Sequence, residues 1–311
     1  MRLAFIEELV ALATVNERIA LMVGDLGFSV IEPFADRFPD RFFNAGVAEQ
    51  NMMGMAAGMA SEGYHVFVYS IANFPTFRCA EQIRNDVAYH RLPVTIVAVG
   101  AGLAYGNLGY SHHAVQDYGL LRLLPNLLLA APGDPLEVRA CMRHLVQQPQ
   151  PSYLRIGKVG EPTLHTAVPE LAPGRWLPVV RRGGKRALLT TGATLALAGQ
   201  WLALPAYADY DLYTLPLWGM AHKEGQAEQL ACFEQVITVE DHLHDGGFAS
   251  WLREALAEQQ PELLLRLQAR ALHSRVCGAV GSQQTLNEYG GLHCDGRPAS
   301  DADSQAGRRE G

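Results

Sequence analysis

Short apolar segments alternate with helical periodicity along most of the chain. Apolar positions recur at helical spacing over residues 5–13, and a compact apolar run follows at 19–23. The same alternation then predicts strands at 41–47, 65–71, 94–100, 126–131 and 152–157 and helices at 48–61, 76–89, 117–124 and 135–148. Apolar strands separated by helices indicate a parallel sheet that is covered on both faces.

A second, smaller α/β rhythm follows an irregular, proline-rich segment. The first domain is predicted at 1–160, a linker at 161–178 and the second domain at 179–292. Strands of the second domain are predicted at 186–192, 211–217 and 234–240, with helices at 193–203, 225–231, 248–259 and 282–290. The polar remainder, 293–311, is predicted to be a disordered tail. The fold class is therefore α/β, with two doubly wound domains.

Charge narrows the classes of partner. The chain has 25 Lys and Arg against 32 Asp and Glu, a formal charge of −7, and it has no long basic run. Nucleic acid and anionic membranes are therefore disfavoured as partners. Charged residues make up 18%, below the roughly 25% of soluble chains. This low value predicts that another subunit buries part of the surface.

The five cysteines are scattered, odd in number and never spaced as CxxC. This pattern argues against a disulfide scaffold and against a zinc site. No apolar stretch reaches the roughly 18 residues of a membrane span, and the amphipathic start does not resemble a secretory leader. A reducing, cytoplasmic setting is the prediction.

The segment FFNAGVAEQNMMGMAAGMASEG places Glu49 directly after a strand, at the start of a helix. A carboxylate there has a purely structural explanation, because the helix dipole favours negative charge at its N-terminus. Small residues, among them Gly54, Ala57 and Gly58, follow on the helix. They suit close approach to another helix and indicate a tight subunit contact.

Two further motifs carry candidate chemistry. IANFPTFRCAEQIRND places Phe74 and Phe77 near a helix start, a spacing more typical of core packing than of a cofactor site. YGNLGYSHHAVQD presents His112 and His113 in a glycine-rich loop after a strand, where open α/β sheets bind ligands. The histidines could be solvated or bind metal, but no Cys or carboxylate lies beside them at ligand spacing. An acid/base or oxyanion contact is favoured for one of them.

In this order and spacing, the three motifs resemble those of transketolase. From about residue 2 to 292 the chain resembles the C-terminal half of that family, its pyrimidine-binding domain followed by its C-terminal domain. The matching half of deoxyxylulose-phosphate synthase is similar as well. The most specific segments are GVAEQNM, the phenylalanine pair, GNLGYSHH, LPN and APGDPLEV, supported by ITVEDHLHDGGF and VGSQQTLNEYGGL.

The resemblance implies thiamine diphosphate as the cofactor. Glu49 would be the acid/base that hydrogen-bonds a ring nitrogen of the aminopyrimidine, and Phe74 would stack on that ring. Phe77 would be its neighbour or ordinary core. Asp25 resembles an acidic residue near the cofactor, or it is a plain helix cap. His112 would contact the sugar oxygens as a donor or proton shuttle.

Other matches concern the substrate. His113 stands where the family more often has Gln, and a supporting role beside the substrate is implied. Arg2, Ser29 and Arg155 resemble positions that grip the sugar phosphate, and arginine forks suit phosphate geometry. Arg155 also has a structural explanation, since at the end of a strand it could pair with the linker.

Two departures from the family concern sugar recognition. Leu108 stands where transketolase has an Asp that contacts a substrate hydroxyl, and Gly100 stands where the family places His or Arg at the strand end. A buried hydroxyl without its partner costs about 1–3 kcal/mol. The expected substrate is therefore a less common sugar, deoxygenated or nucleotide-linked, rather than the standard pentose phosphates.

A larger departure concerns the metal. The family binds Mg²⁺ and the diphosphate through a GDG motif and a later Asn in a preceding domain, and no GDG occurs here. The chain is therefore predicted to be the second subunit of a split enzyme. An N-terminal transketolase-type subunit would supply the diphosphate and Mg²⁺ site in a heterotetramer, with self-association across the pyrimidine-binding domain.

The leading hypothesis is a subunit of an enzyme that transfers a two-carbon ketol unit between sugars or sugar phosphates. One alternative is the beta subunit of a thiamine-dependent 2-oxo acid dehydrogenase or decarboxylating synthase, which has the same Glu and domain order. Another is a noncatalytic paralogue that keeps the fold. The joint presence of Glu49, Phe74 and His112 favours an enzyme.

Overall fold

The strands of the computed structural model, which describes residues 1–158 and 160–297, form two sheets. In chain order they are β1 (Ile19–Val23), β2 (Phe42–Asn44), β3 (His65–Ile71), β4 (Val94–Val99), β5 (Leu128–Ala130), β6 (Ser152–Ile156), β7 (Leu177–Val180), β8 (Arg186–Thr190), β9 (Tyr210–Thr214), β10 (Leu217–Trp218), β11 (Gln235–Leu243) and β12 (Leu267–Leu272). The first sheet has the order β10-β5-β6-β4-β3-β1-β2 and the second β12-β11-β8-β9-β7. Only the β10 and β7 pairings are antiparallel among the described strands, so the predicted parallel α/β fold is confirmed.

Helices connect most of these strands. They are α1 (Arg2–Val15), α2 (Glu32–Arg37), α3 (Glu49–Ser61), α4 (Asn73–Phe77), α5 (Ala80–Gln82), α6 (Asp117–Leu121), α7 (Pro135–Gln147), α8 (Thr194–Trp201), α9 (Gln226–Ala231), α10 (Phe248–Gln259) and α11 (Gln283–Tyr289). The helix predicted at 76–89 begins earlier and is divided into α4, α5 and a π-helical segment at Ile83–Ala88. Pro75 fits this earlier start because the first turn of a helix does not need its N–H.

Both faces of the first sheet are covered, as strands buried along their whole length require. Val66 and Val68 on β3 belong to the same apolar core as Met53 of α3. Phe67 and Tyr69 point to the opposite face and contact the ring of a phenylalanine on α1. Within the described ranges, no helix combines the length and apolar character that crossing a membrane requires. The cytoplasmic setting stays a prediction.

Three strands are absent from the sequence prediction. β7 lies across the end of the predicted linker and pairs with β9, and β12 lies between two predicted helices. β10 comes from the second half of the chain but pairs with β5, so it completes the first sheet. The two halves therefore share a sheet, and the linker does not separate them cleanly.

The start of the predicted tail is corrected by its contacts. Trp201 Nε1 donates a hydrogen bond to the His293 carbonyl at 2.9 Å, and the Tyr207 hydroxyl donates to the Gly296 carbonyl at 2.6 Å. Residues 293–297 therefore pack against the second half of the chain, because buried aromatic donors need these carbonyls. The rest of the predicted tail, 298–311, lies outside the described residues.

Candidate active site

The three sequence motifs meet at one edge of the first sheet. Glu49 opens α3, which follows β2, and Phe74 lies on α4, directly after β3. His112 belongs to the loop that leaves β4. The strands β2, β3 and β4 run in one direction, so their carboxyl ends lie side by side. This is the edge at which parallel α/β sheets bind ligands.

Glu49 is buried and has a charged partner. Arg78 Nη1 donates to Glu49 Oε1 at 2.9 Å, and the side chain of Arg78 is 52% exposed. The Arg78 guanidinium also lies 4.5 Å from the centre of the Phe74 ring. An open cavity of about 520 Å³ is lined by Glu49, Arg78 and residues 47–51. Arg78 was missed by sequence reasoning, although its position four residues after Phe74 on a helix signals a shared face.

Phe74 links this cavity to the histidine loop. Its ring meets the His112 ring edge-on, with 5.2 Å between the ring centres. Glu49, Arg78, Phe74 and His112 thus form a continuous row of side chains. Phe77 lies at the end of α4 and is 47% exposed, so its interpretation as ordinary core is wrong.

His112 is placed for proton chemistry. Its Nδ1 lies 3.0 Å from the Ser111 hydroxyl, and the Tyr105 ring is 6.4 Å away. Partial burial, and second the neighbouring His113, lower the pKa of His112. Near neutral pH the ring is therefore neutral, with one nitrogen as donor and the other as acceptor.

His113 does not reach the site surface. Its side chain is buried, and Nε2 lies 3.4 Å from the Gly106 carbonyl. The predicted contact of His113 with substrate is therefore wrong, and the residue supports the loop from behind. Sequence reasoning also missed Asn73, whose Nδ2 donates to the carbonyls of Ser111 at 3.3 Å and His113 at 2.6 Å.

Asp25 and Ser29 lie in the loop after β1. Asn44 Nδ2 donates to Asp25 Oδ1 at 3.0 Å, and the Asp25 amide donates to Asn44 Oδ1 at 3.1 Å. These bonds join the ends of β1 and β2. The alternative that Asp25 caps a helix is wrong, because the next helix starts at Glu32. Ser29 is exposed, has a φ of 67° and donates its amide to Glu32 Oε1 at 2.7 Å.

Two cations lie at the same edge. Arg2 Nε donates to the Lys158 carbonyl at 3.0 Å, and Lys158 Nζ is 5.2 Å from the centre of the Tyr105 ring. Tyr105 in turn neighbours His112, so a positive patch adjoins the histidine loop. Lys158 was missed by sequence reasoning, and its place just after a strand was the available signal.

Arg155 cannot grip a substrate phosphate. Its side chain is fully buried and is paired with Asp117 and Asp241. The sequence prediction of Arg155 as a phosphate ligand is therefore wrong. A charged group is held in the interior only when it is paired there, and both partners come from distant parts of the chain.

Comparisons with known proteins agree with this site. The family model described as "Transketolase, pyrimidine binding domain" matches residues 1–159. One of the subunits of the apulose-4-phosphate transketolase of Actinobacillus succinogenes is 30% identical over 268 residues, which are 85% of this chain and 85% of that protein. A putative transketolase C-terminal section of Methanocaldococcus jannaschii is 32% identical over 300 residues, 94% of this chain and 92% of that protein.

A solved structure described as a split gene transketolase, inactive beta4 tetramer, has the same fold. It is 30% identical, aligns with a TM-score of 0.79 and is covered over 95% of its length by 98% of this chain. The chain belongs to the transketolase pyrimidine-binding family, whose enzymes depend on thiamine. Its long matches are separate C-terminal subunits, so the prediction of a split transketolase C-terminal subunit is confirmed.

Proposed function

We propose that this chain completes a two-carbon ketol transferase when an N-terminal transketolase-type subunit joins it. The observation that carries the proposal is the continuous row of Glu49, Arg78, Phe74 and His112 at the sheet edge. A buried carboxyl, an aromatic face and a neutral imidazole supply a proton-sharing group, a stacking surface and a hydrogen-bonding group for a sugar.

The donor set fits the aminopyrimidine of thiamine diphosphate. The Glu49 carboxyl can hydrogen-bond a ring nitrogen, and the Phe74 ring can stack on the heterocycle once the half-exposed Arg78 swings away. When bound, the cofactor supplies the carbon nucleophile of ketol transfer. In the described ranges no group of three His, Cys, Asp or Glu side chains is arranged for a metal ion, and we assign Mg²⁺ and the diphosphate to the partner.

The surroundings of His112 favour a sugar with fewer hydroxyls near the reacting carbon. A Cβ on Gly100 would lie 2.1 Å from Tyr105 Cε2, so the Tyr105 ring fills the space that a strand-end His or Arg would use. Leu108 is 57% exposed and adds apolar surface. Arg2 and Lys158 offer positive charge to an anionic end of the substrate.

We place the self-association surface on α3. Gly54 and Gly58 are exposed, and a Cβ at either position would meet no atom within 4 Å. Met55 lies between them and is 40% exposed. A bare helix surface with a protruding methionine suits close packing against a second copy. The relative described as an inactive beta4 tetramer supports both self-association and the need for a partner subunit.

The decisive experiment is reconstitution with the N-terminal transketolase-type subunit of the same organism. The purified chain alone is expected to show no turnover, and the mixture with thiamine diphosphate and Mg²⁺ is expected to transfer ketol units from ketoses to aldoses. Pyruvate with CO₂ measurement is the parallel assay. Robust activity of this chain alone would contradict the split subunit, and CO₂ release without ketol transfer would favour the decarboxylating alternative.

A further inference from the structure

An ion cluster that joins the two sheets holds the base of the His112 loop. Arg155 Nη1 on β6 donates to Asp241 Oδ1 on β11 at 2.6 Å, and Arg155 Nε donates to Asp117 Oδ2 at 2.7 Å. The remaining nitrogen, Nη2, donates to the Ala114 carbonyl at 2.7 Å. The guanidinium thus connects the loop to both sheets through every nitrogen it has.

Ala114 is the point at which the loop closes. The Gly102 amide donates to the Ala114 carbonyl at 3.1 Å, and the Ala114 amide donates to the Gly102 carbonyl at 2.8 Å. Gly102 is packed against the ion cluster, since a Cβ there would lie 2.2 Å from Asp241 Oδ2. Arg155 and Asp241 therefore fix both ends of the segment that carries His112.

The second half of the chain also covers the middle of this loop. The Gly281 amide donates to the Gly106 carbonyl at 3.3 Å. A Cβ on Gly106 would lie 2.6 Å from Leu286 Cδ1 and 2.7 Å from the Gly281 carbonyl oxygen. His113 approaches the same Gly106 carbonyl from within the loop. The loop is thus held at two separate places by residues from beyond the linker.

We propose that the second half of the chain positions His112, and that Arg155 is the main positioning residue of its loop. The proposal rests on the proposed function, because it takes His112 as the group that contacts the sugar. A guanidinium fork bonded to two carboxylates has one preferred orientation, so the carbonyl it holds has one place. A displacement of about 1 Å in a contacting group can reduce a rate about 100-fold.

The first test is Arg155→Lys, which keeps the charge and removes the fork. Hydrogen exchange of amides 101–116 in the purified chain is expected to accelerate about tenfold or more. In the reconstituted enzyme kcat is expected to fall about 10- to 100-fold, equally for phosphorylated and unphosphorylated ketoses. Unchanged exchange and rate, or a rise in KM confined to phosphorylated ketoses, would overturn the proposal.

Gly106→Ala tests the second place of contact and leaves the ion cluster intact, so it decides the matter if Arg155→Lys does not fold. Its matched control is Gly281→Ala, whose new Cβ would meet its nearest atom at an ordinary 3.6 Å. Gly106→Ala should accelerate exchange in 101–116 and reduce kcat, whereas Gly281→Ala should match the wild type. Equal behaviour of the two variants would refute the positioning role. If the wild-type complex transfers no ketol units, the proposed function fails, while the exchange comparison still reports on the loop.

Discussion

Arg78 gives the carboxyl of Glu49 a partner that the substrate-bound enzyme must replace. The guanidinium is half exposed, so it can exchange the carboxylate for water at small cost, about 0–1 kcal/mol for such a pair. The same guanidinium lies over Phe74, the ring proposed to stack on the cofactor. Arg78 therefore covers both pyrimidine-contacting groups in this chain and has to leave both together.

Glu49→Gln is the direct test of the acid/base at the residue scale. The amide keeps the size of the carboxyl but cannot share a proton, so kcat of the reconstituted enzyme should fall by about 10²- to 10⁴-fold. Light scattering should show unchanged assembly. Glu62→Gln, just beyond the exposed end of α3, is the control and should keep the wild-type rate. Near-normal turnover of Glu49→Gln would remove the catalytic assignment.

At this scale the sequence predicts what the ends of parallel strands determine. Glu49, Phe74 and His112 each follow a strand of one sheet, so their proximity could be expected from the alternation of strands and helices. Arg155 shows the limit. Its burial depends on Asp117 and Asp241, which tertiary folding brings to it, and no local pattern marks such a pairing.

At the scale of elements, a buried polar ladder crosses three strands of the first sheet. His65 Nε2 on β3 lies 2.7 Å from Thr95 Oγ1 on β4, which lies 2.8 Å from Ser152 Oγ on β6. The His65 ring stacks on Phe67 with 4.7 Å between ring centres. Burial lowers the pKa of His65 from 6.5 to about 4, so the ladder requires the neutral ring.

This ladder predicts a pH dependence of stability. The unfolded chain protonates His65 below pH 6.5, whereas the folded chain resists until about pH 4, so stability present at pH 8 is lost as the pH falls through this window. At pH 5 the loss from this residue is about 2 kcal/mol in the free energy of unfolding. Denaturant titrations of His65→Gln should show a shallower pH dependence by that amount. The exposed His90→Gln is the control, and equal slopes for His65→Gln and wild type would contradict the assignment.

Element prediction succeeds where the pattern is long and fails where pairing decides. β3, β4 and α10 have long apolar or amphipathic runs and were predicted nearly to the residue. α7 has in addition a start signal, since Asp134 caps it by accepting from the amides of Leu136 and Glu137. β7 and β10 are short strands, and their antiparallel partners rather than their own residues make them strands.

At the scale of the whole molecule, the bare face of α3 separates folding from association. Gly54→Leu adds bulk where the chain itself offers no obstacle, and it replaces a poor helix former by a good one. The free energy of unfolding of the chain should therefore stay constant or rise by up to about 1 kcal/mol. Self-association measured by sedimentation should weaken, because the close helix approach is blocked.

Gln147→Leu provides a control of equal bulk on the exposed side of α7. It should leave the sedimentation of the chain unchanged. If Gly54→Leu associates as strongly as the wild type, the subunit contact does not lie on α3. If Gly54→Leu lowers the stability of the isolated chain, the face is occupied within the subunit itself.

The strand β10 has a consequence for synthesis on the ribosome. The edge of β5 is paired by Leu217 and Trp218, which follow the linker and most of two further strands in the chain. Until those residues emerge, the nascent first sheet has an open edge with unpaired amides and carbonyls, the kind of surface on which other strands aggregate. A gene fragment that ends at the linker would retain that open edge permanently. Soluble expression of the pyrimidine-binding half should therefore require extension of the fragment past Trp218.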